Sequence, residues 1–155
     1  MILYKQSWNL VKNVTFSFVV LVIFGMSTTQ AQDSFCNDFK TGSFYIPPTD
    51  NLPVSYKVER VGETQTESVQ SSPKGLLTDE TVATQYGVLK WIDDCSYRIW
   101  YDETKGQLSE VQQMINRNNG VLIEFLSVEG NCVNYRGTLE KPDEIVTFLG
   151  QQCKN

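Results

Sequence analysis

Short segments in which apolar and polar residues alternate recur along this chain, and they restrict it to a fold built mainly from β-strands. In residues 95–101, one face carries Cys95, Tyr97, Ile99 and Tyr101. Successive side chains of a strand point to opposite faces, so this period-two pattern is typical of a strand with one buried face. A second apolar segment, residues 87–92, precedes it. Asp93 and Asp94 separate the two segments and predict a tight hairpin turn.

Other alternating segments predict further hairpins. The additional strand candidates are residues 43–46, 54–59, 64–69, 121–128 and 131–136. Gly62 and Gly130 lie between neighbouring candidates, where a glycine suits the positive φ of a tight turn. Pro47 and Pro48 end the first candidate, because proline has no amide hydrogen to donate to a strand ladder.

One helix and one long loop complete the prediction. Leu108, Val111, Met114 and Ile115 have helical spacing, Ser109 or Asp102 could cap the start, and Asn119-Gly120 provides a stop. Residues 70–83 are polar and predict a loop. The expected fold is a small, mainly β antiparallel meander of seven or eight strands, either barrel-like or a curled sheet, with one short helix.

The first 31 residues have the order of a secretory signal. Lys5 and Lys12 precede an uncharged apolar run, residues 14–26, and small residues lead to Ala31. The run is too short to span a bilayer easily. We therefore expect a signal peptide over 1–31, cleavage after Ala31, and one exported β-rich domain over 32–155, which would be periplasmic or extracellular. The alternative is an uncleaved segment that anchors the protein in the membrane.

The charge of the remaining domain argues against nucleic acid as a partner. Residues 1–31 hold two of the 13 Lys and Arg residues and none of the 18 Asp and Glu residues, which leaves a net charge of about −7. For the same reason we expect no membrane binding after signal cleavage. The expected partner is an unidentified small molecule or an envelope protein.

The chain contains no histidine. This excludes Ser-His-Asp and Cys-His nucleophiles and zinc sites built on imidazole. We therefore expect a protein that is not an enzyme, with no catalytic residues, no metal site and no cofactor. A hydrolase that works with carboxylates remains as a disfavoured alternative.

Four cysteines, Cys36, Cys95, Cys132 and Cys153, all follow the signal. An even number in a small exported domain predicts two disulfides. Four cysteines allow three pairings, and their spacing does not choose among them.

An aromatic cluster on the predicted hairpin is the candidate contact site for a ligand or partner. It consists of Trp91, Tyr97, Arg98 and Trp100. Tyr97 belongs to the face that we expect to form the core. Trp100 is the stronger candidate because it shares its face with Arg98 and other polar residues, although a covering helix would also explain it.

Two stretches of the chain resemble a family of small exported proteins from Gram-negative bacteria. Its members carry a C-x-D-F-K-T-G-x-F opening, matched by residues 36–44, and a W-I-x-D-C-x-Y hairpin, matched by residues 91–97. The family has no established activity. Some members are labelled as a DNA topoisomerase IV subunit, which does not suit an acidic exported chain of this length. The resemblance implies a Cys36–Cys95 disulfide, and with it Cys132–Cys153.

A second, shorter resemblance is to the opening strand of lipocalin-like barrels. It rests on Phe39, Gly42 and Phe44, with phenylalanine where those barrels carry tryptophan. The resemblance implies a carrier of small ligands. We thus expect a non-enzymatic exported binding or interaction domain of the cell envelope, with a lipocalin-like carrier as an alternative. A cavity lined by Tyr97 and Trp100 would favour the carrier, and a filled core with an exposed aromatic patch would favour a protein partner.

Overall fold

The alternating segments form eight antiparallel strands that close into a barrel in a computed structural model of the chain. The structure describes residues 35–50, 53–73 and 84–154. The predicted signal peptide and its cleavage site lie outside these residues. The strands are β1 (Gly42–Ile46), β2 (Ser55–Val61), β3 (Thr64–Ser71), β4 (Gln85–Trp91), β5 (Ser96–Tyr101), β6 (Val121–Glu129), β7 (Cys132–Lys141) and β8 (Glu144–Lys154).

Each strand pairs with the next one along the chain, and β1 pairs with β8 to close the barrel. The closing contact is short, since it consists of the pairs Phe44–Lys154 and Tyr45–Cys153. The strand β1 ends at Ile46, directly before Pro47 and Pro48, and so cannot follow β8 further. The meander prediction is confirmed, and of its two forms the structure is the closed barrel.

The predicted hairpin turns are confirmed and show the expected local chemistry. Gly62 and Gly130 have φ values of 59° and 62°. In the β4–β5 turn, the carboxylate of Asp93 accepts hydrogen bonds from the Ser96 hydroxyl at 2.7 Å and from the Cys95 amide at 2.8 Å. These bonds lower the pKa of Asp93, with the Ser96 hydroxyl as the main cause. The acidic turn is thus stabilised by hydrogen bonds of its own carboxylate.

The predicted helix is present as α1 (Glu110–Arg117). Ser109 caps its start in a capping box with Gln112. Asp102, the other proposed cap, instead caps a separate 3₁₀ turn, Glu103–Lys105. None of the helices among the described residues is long and apolar enough to cross a membrane.

One predicted strand limit was wrong, and one strand was missed. The polar loop predicted from residue 70 begins later, because β3 continues to Ser71; residues 74–83 of that loop lie outside the described ranges. The strand β8 was not predicted at all. Its exposed Ile145 and Leu149 break the expected alternation with polar residues, and Pro142 and Asp143 in the preceding turn were the available signal.

A 3₁₀ turn, Cys36–Phe39, packs one end of the barrel, and we call this turn and the side chains packed around it the floor. Its rings pack closely: Phe39 stacks on Phe44 with centroids 5.7 Å apart and meets Phe125 edge-on at 6.0 Å. The buried core cluster comprises Cys36, Phe39, Phe44, Val58, Leu89, Tyr97, Ile123, Phe125 and Val133. The apolar interior of the barrel is therefore concentrated around the floor.

Both predicted disulfides are confirmed. Cys36–Cys95 joins the floor to the β4–β5 turn, and Cys132–Cys153 joins β7 to β8. Lys40 reinforces the first link, because its Nζ lies 2.6 Å from Asp94 Oδ1. The two family-like stretches of the sequence thus meet in one place, and both serve to close the floor.

The two disulfides should differ in their contribution to stability, because they close loops of different length. Their sequence separations are 59 and 21 residues. We expect the Cys36→Ala/Cys95→Ala variant to lose about 4 kcal/mol and the matched Cys132→Ala/Cys153→Ala variant about 3 kcal/mol, on loop-closure entropy. Urea unfolding measures both losses. A larger loss from the shorter loop would contradict this account.

Candidate functional site

The floor carries a fully buried arginine, Arg60, on the inner face of β2. Its guanidinium donates to Phe39 O at 2.5 Å, to Gln65 Oε1 at 2.6 and 2.8 Å, to Tyr97 Oη at 2.8 Å and to Gln152 Oε1 at 3.2 Å. A buried cation is tolerated only when its donors are satisfied. These four partners come from the floor, β3, β5 and β8, so one side chain connects distant parts of the barrel.

Aromatic rings surround the same guanidinium. Its central carbon lies 4.7 Å from the ring centroid of Tyr97, 5.6 Å from that of Phe44 and 5.8 Å from that of Trp91. The π-faces of aromatic rings attract cations, most strongly where water is excluded. The charge of Arg60 is therefore held by neutral oxygens and ring faces instead of by a direct ion pair.

A hydrogen-bond chain leads from Arg60 to a carboxyl group. Gln65 accepts from Arg60 with its oxygen and donates with its Nε2 to Glu67 Oε1 at 2.5 Å. Burial raises the pKa of Glu67, while the Gln65 hydrogen bond and the charge of Arg60 oppose that rise. Glu67 is consequently an interior carboxyl whose ionised form has no counter-charge in direct contact among the residues that the structure describes.

A cavity of about 190 Å³ lies next to this network inside the barrel. It is lined by Ile46, Gln65, Glu67, Gln85, Tyr86, Gly87, Tyr97, Ile99, Trp100, Tyr101, Ile115, Val121, Ile123, Tyr135, Phe148 and Gln152. Aromatic and aliphatic side chains dominate the lining. Glu67 is the one charged residue among these lining residues, since Arg60 lies behind Gln65, Tyr97 and Gln152.

Gln152 is the polar residue of this lining with an unused donor. The residue is 3% exposed, and its Oε1 accepts from Arg60. Its Nε2 has no hydrogen-bond acceptor among the described residues. A buried donor in this condition costs roughly 1–3 kcal/mol. A cavity that borders such a donor is suited to a molecule that brings an acceptor.

Two glycines provide room for the aromatic wall of the cavity. A Cβ atom on Gly150 would lie 2.4 Å from the ring of Tyr135, and one on Gly137 would lie 2.1 Å from the ring of Phe148. The two rings meet edge-on with centroids 6.4 Å apart. The rings therefore lie flat across the opposite strand of the β7–β8 hairpin, which only glycine allows.

The helix α1 completes the cavity where β6 no longer follows β5. The pairing of β6 with β5 ends at Ile99. Beyond that point, the Asn116 side chain accepts from the Tyr101 amide and donates to its carbonyl, both at 2.9 Å. Ile115 of the same helix lines the cavity. The helix thus takes the place of a strand at this edge.

The four candidate residues proposed from the sequence lie in three different places in the structure. Tyr97 and Trp100 line the cavity. Trp91 packs beside Tyr97, with ring centroids 4.7 Å apart, and belongs to the floor. Arg98 lies on the outer face, where it donates to Asn119 O at 3.2 Å and lies 3.9 Å from Glu140.

Sequence reasoning missed the polar members of the site, namely Arg60, Gln65, Glu67 and Gln152. A signal existed for Arg60, because it continues the face of Tyr56 and Val58 in a strand that alternates. No comparable signal marked Gln65 and Glu67, since β3 is polar on both faces. Gln152 lies in the strand that was not predicted.

Metal chemistry has no ready site in this part of the chain. Within residues 35–50, 53–73 and 84–154, no group of three or more Cys, Asp or Glu side chains could hold a metal ion.

Comparisons of the chain with protein-family models, with curated proteins and with solved structures found no match.

The contact between Tyr135 and Gly150 can be tested by a double-mutant cycle. Gly150→Ala places a methyl group against the ring and should lower the free energy of unfolding by about 1–3 kcal/mol. In the Tyr135→Ala background the same change should cost much less, because the ring is gone. Urea unfolding of the four proteins gives the coupling. Additive losses would show that the ring does not occupy this space.

The buried carboxyl of Glu67 should be visible in the pH dependence of stability. Burial raises the pKa of Glu67 on folding, so the native state binds its proton more tightly than the unfolded chain. The stability from this group is complete below the unfolded-state pKa and is lost as pH rises through the folded-state pKa. We expect E67Q to be more stable than the wild type at pH 7 and to lose that advantage below about pH 4.

Denaturant unfolding of E67Q and the wild type between about pH 4 and pH 7 measures how the difference in their free energies of unfolding changes with pH. Glu63→Gln, in the exposed β2–β3 turn, is the matched control and should follow the wild type. A constant difference between E67Q and the wild type at every pH would contradict the assignment of a raised pKa.

Proposed function

We propose that this barrel binds a small molecule in its interior cavity and does so without chemistry. The observation that carries the proposal is the cavity itself, with Tyr97 and Trp100 in its lining. Ligand sites combine apolar and aromatic walls with a few placed polar groups, and this cavity has that composition. Of the two binding alternatives weighed from the sequence, the small-ligand carrier is therefore favoured over the protein-contact domain.

The size of the cavity limits the ligand. A cavity of about 150 Å³ can hold benzene, and this one is about 190 Å³. The ligand thus has on the order of ten non-hydrogen atoms. Its apolar part would contact Ile99, Ile123 and Phe148, and its polar part would lie near Glu67 and Gln152.

Binding accounts for the lining better than hydrolysis does. Hydrolysis by carboxylates generally needs two of them on either side of the reacting bond, and Glu67 is the one carboxyl in the described lining. The carboxylate hydrolase therefore stays disfavoured.

The location of the protein follows in part from the disulfides. The links Cys36–Cys95 and Cys132–Cys153 indicate an oxidising, exported compartment. We further propose that residues 1–31 direct the export, that cleavage follows Ala31, and that the domain works in the periplasm or outside the cell. Retention by an uncleaved N-terminal segment is the alternative, and mass spectrometry of the exported protein distinguishes the two.

Native mass spectrometry of the exported protein tests the proposed function. We expect an added mass that corresponds to about ten non-hydrogen atoms and that is released on unfolding. Val121→Phe should remove the added mass, because Val121 lines the cavity and a larger side chain fills it. Leu122→Phe is the matched control, since the next residue of β6 points to the outer face. An added mass that persists in Val121→Phe would place the ligand elsewhere and contradict the proposal.

A further inference from the structure

We infer that the cavity selects a small organic ammonium ion, whose cationic group lies against the Glu67 carboxylate and whose apolar body lies among the surrounding aromatic rings. This inference rests on the proposed function and names the chemical class of its ligand. Three observations support it: Glu67 lines the cavity whereas Arg60 does not, the cavity lining is rich in aromatic residues, and the Nε2 of Gln152 has no acceptor among the described residues.

The first charged group that a ligand would meet is negative. Glu67 lines the cavity, whereas Arg60 is fully buried behind Gln65, Tyr97 and Gln152. The guanidinium already uses Phe39 O and the side-chain oxygens of Gln65, Tyr97 and Gln152. An anion would therefore face the carboxyl group without reaching the guanidinium.

Glu67 has one oxygen left for a ligand. Its Oε1 accepts from Gln65 Nε2 at 2.5 Å, and Oε2 has no donor among the described residues. Burial raises the pKa of this carboxyl, so a further positive neighbour would favour its ionised form. An ammonium group supplies both the missing donor and the missing charge.

The wall of the cavity suits a cation as well. Four aromatic residues of the lining stand on inward-facing positions of their strands: Tyr97, Tyr101, Tyr135 and Phe148. Rings attract ammonium groups through their π-faces, and the attraction grows as water is excluded. The barrel already uses this interaction at its floor, where the Arg60 guanidinium lies 4.7 Å from the Tyr97 ring.

Gln152 adds a second requirement. Its buried Nε2 has no acceptor among the described residues, and Gln152 is one of the residues that line the same cavity. A hydroxyl or carbonyl oxygen on the ligand would accept from it. The ligand class is thus a small amine with an apolar body and one oxygen acceptor.

Three related probes test the inference: benzylamine, benzyl alcohol and benzoate. Benzylamine and benzyl alcohol match in size and differ in charge at pH 7.5, and benzoate carries the opposite charge on a planar group with one further oxygen. By isothermal titration calorimetry, we expect benzylamine to bind at least about tenfold more tightly than benzyl alcohol, as a hydrogen bond to a charged group would give. Benzoate should bind most weakly.

The variant E67Q provides the matched protein control. It keeps an acceptor for Gln65 and the volume of the side chain, and it removes the charge. We expect it to lose the preference for benzylamine, so that benzylamine and benzyl alcohol bind about equally. Thermal unfolding shows that the variant is folded.

The pH dependence of the affinity for benzylamine gives an independent test of the role of Glu67. The groups that face Glu67 are Gln65, Arg60, Tyr97, Tyr101 and Tyr135, and burial raises the pKa of each of these three tyrosines, so they stay neutral below pH 8. Glu67, whose pKa is raised by burial, is then the one group of this set whose protonation can change as the pH is raised toward 8. The affinity for benzylamine should rise with pH across this range in the wild type and stay flat in E67Q.

The outcomes separate the two proposals. If benzyl alcohol or benzoate binds as tightly as benzylamine, or if E67Q weakens all three probes equally, the inference is wrong and the ligand-binding function stands. If none of the three binds and the exported protein carries no added mass, both are wrong.

Discussion

The rest of the structure depends on the burial of one guanidinium. Arg60 is the largest of the fully buried side chains, and removing such a charge from water is expensive unless each donor finds a partner. Those partners are a floor carbonyl and three side chains from β3, β5 and β8. A chain that fails to bring these elements together leaves a bare charge in an apolar interior. The network therefore disfavours any strand register other than the native one.

Arg60 also lies between two regions of the barrel interior, the packed floor and the cavity. On one side lies the floor, where the rings of Phe39, Phe44 and Phe125 pack against one another and a disulfide holds the 3₁₀ turn in place. On the other side lies the cavity, whose polar groups, Gln65, Glu67 and Gln152, are continuous with the same hydrogen-bond network. The polar groups of the cavity are thus held in position by the hydrogen-bond network that also stabilises the fold.

The sequence predicted the features that depend on local patterns. Strand alternation and turn chemistry located β1 to β7 and the cap of α1, because these signals come from neighbouring residues. The disulfide pairing came from a resemblance and not from spacing. Arg60 and Glu67 could not be identified as a site, since their meaning depends on which residues from other strands surround them. The strand β8 was not predicted, because its apolar residues lie on both faces and period-two alternation is absent.

The short seam between β1 and β8 has a consequence for the order of folding. Its pairs, Phe44–Lys154 and Tyr45–Cys153, join residues about 110 positions apart in the chain, whereas every other strand pair is between sequence neighbours. Contacts over such separations bear the largest loop-closure entropy and tend to form late. Gln152 arrives with the last strand and Glu67 with the third. The proposed site is therefore a property of the finished barrel alone: a partly folded chain in which β8 has not yet paired lacks Gln152 in the cavity wall.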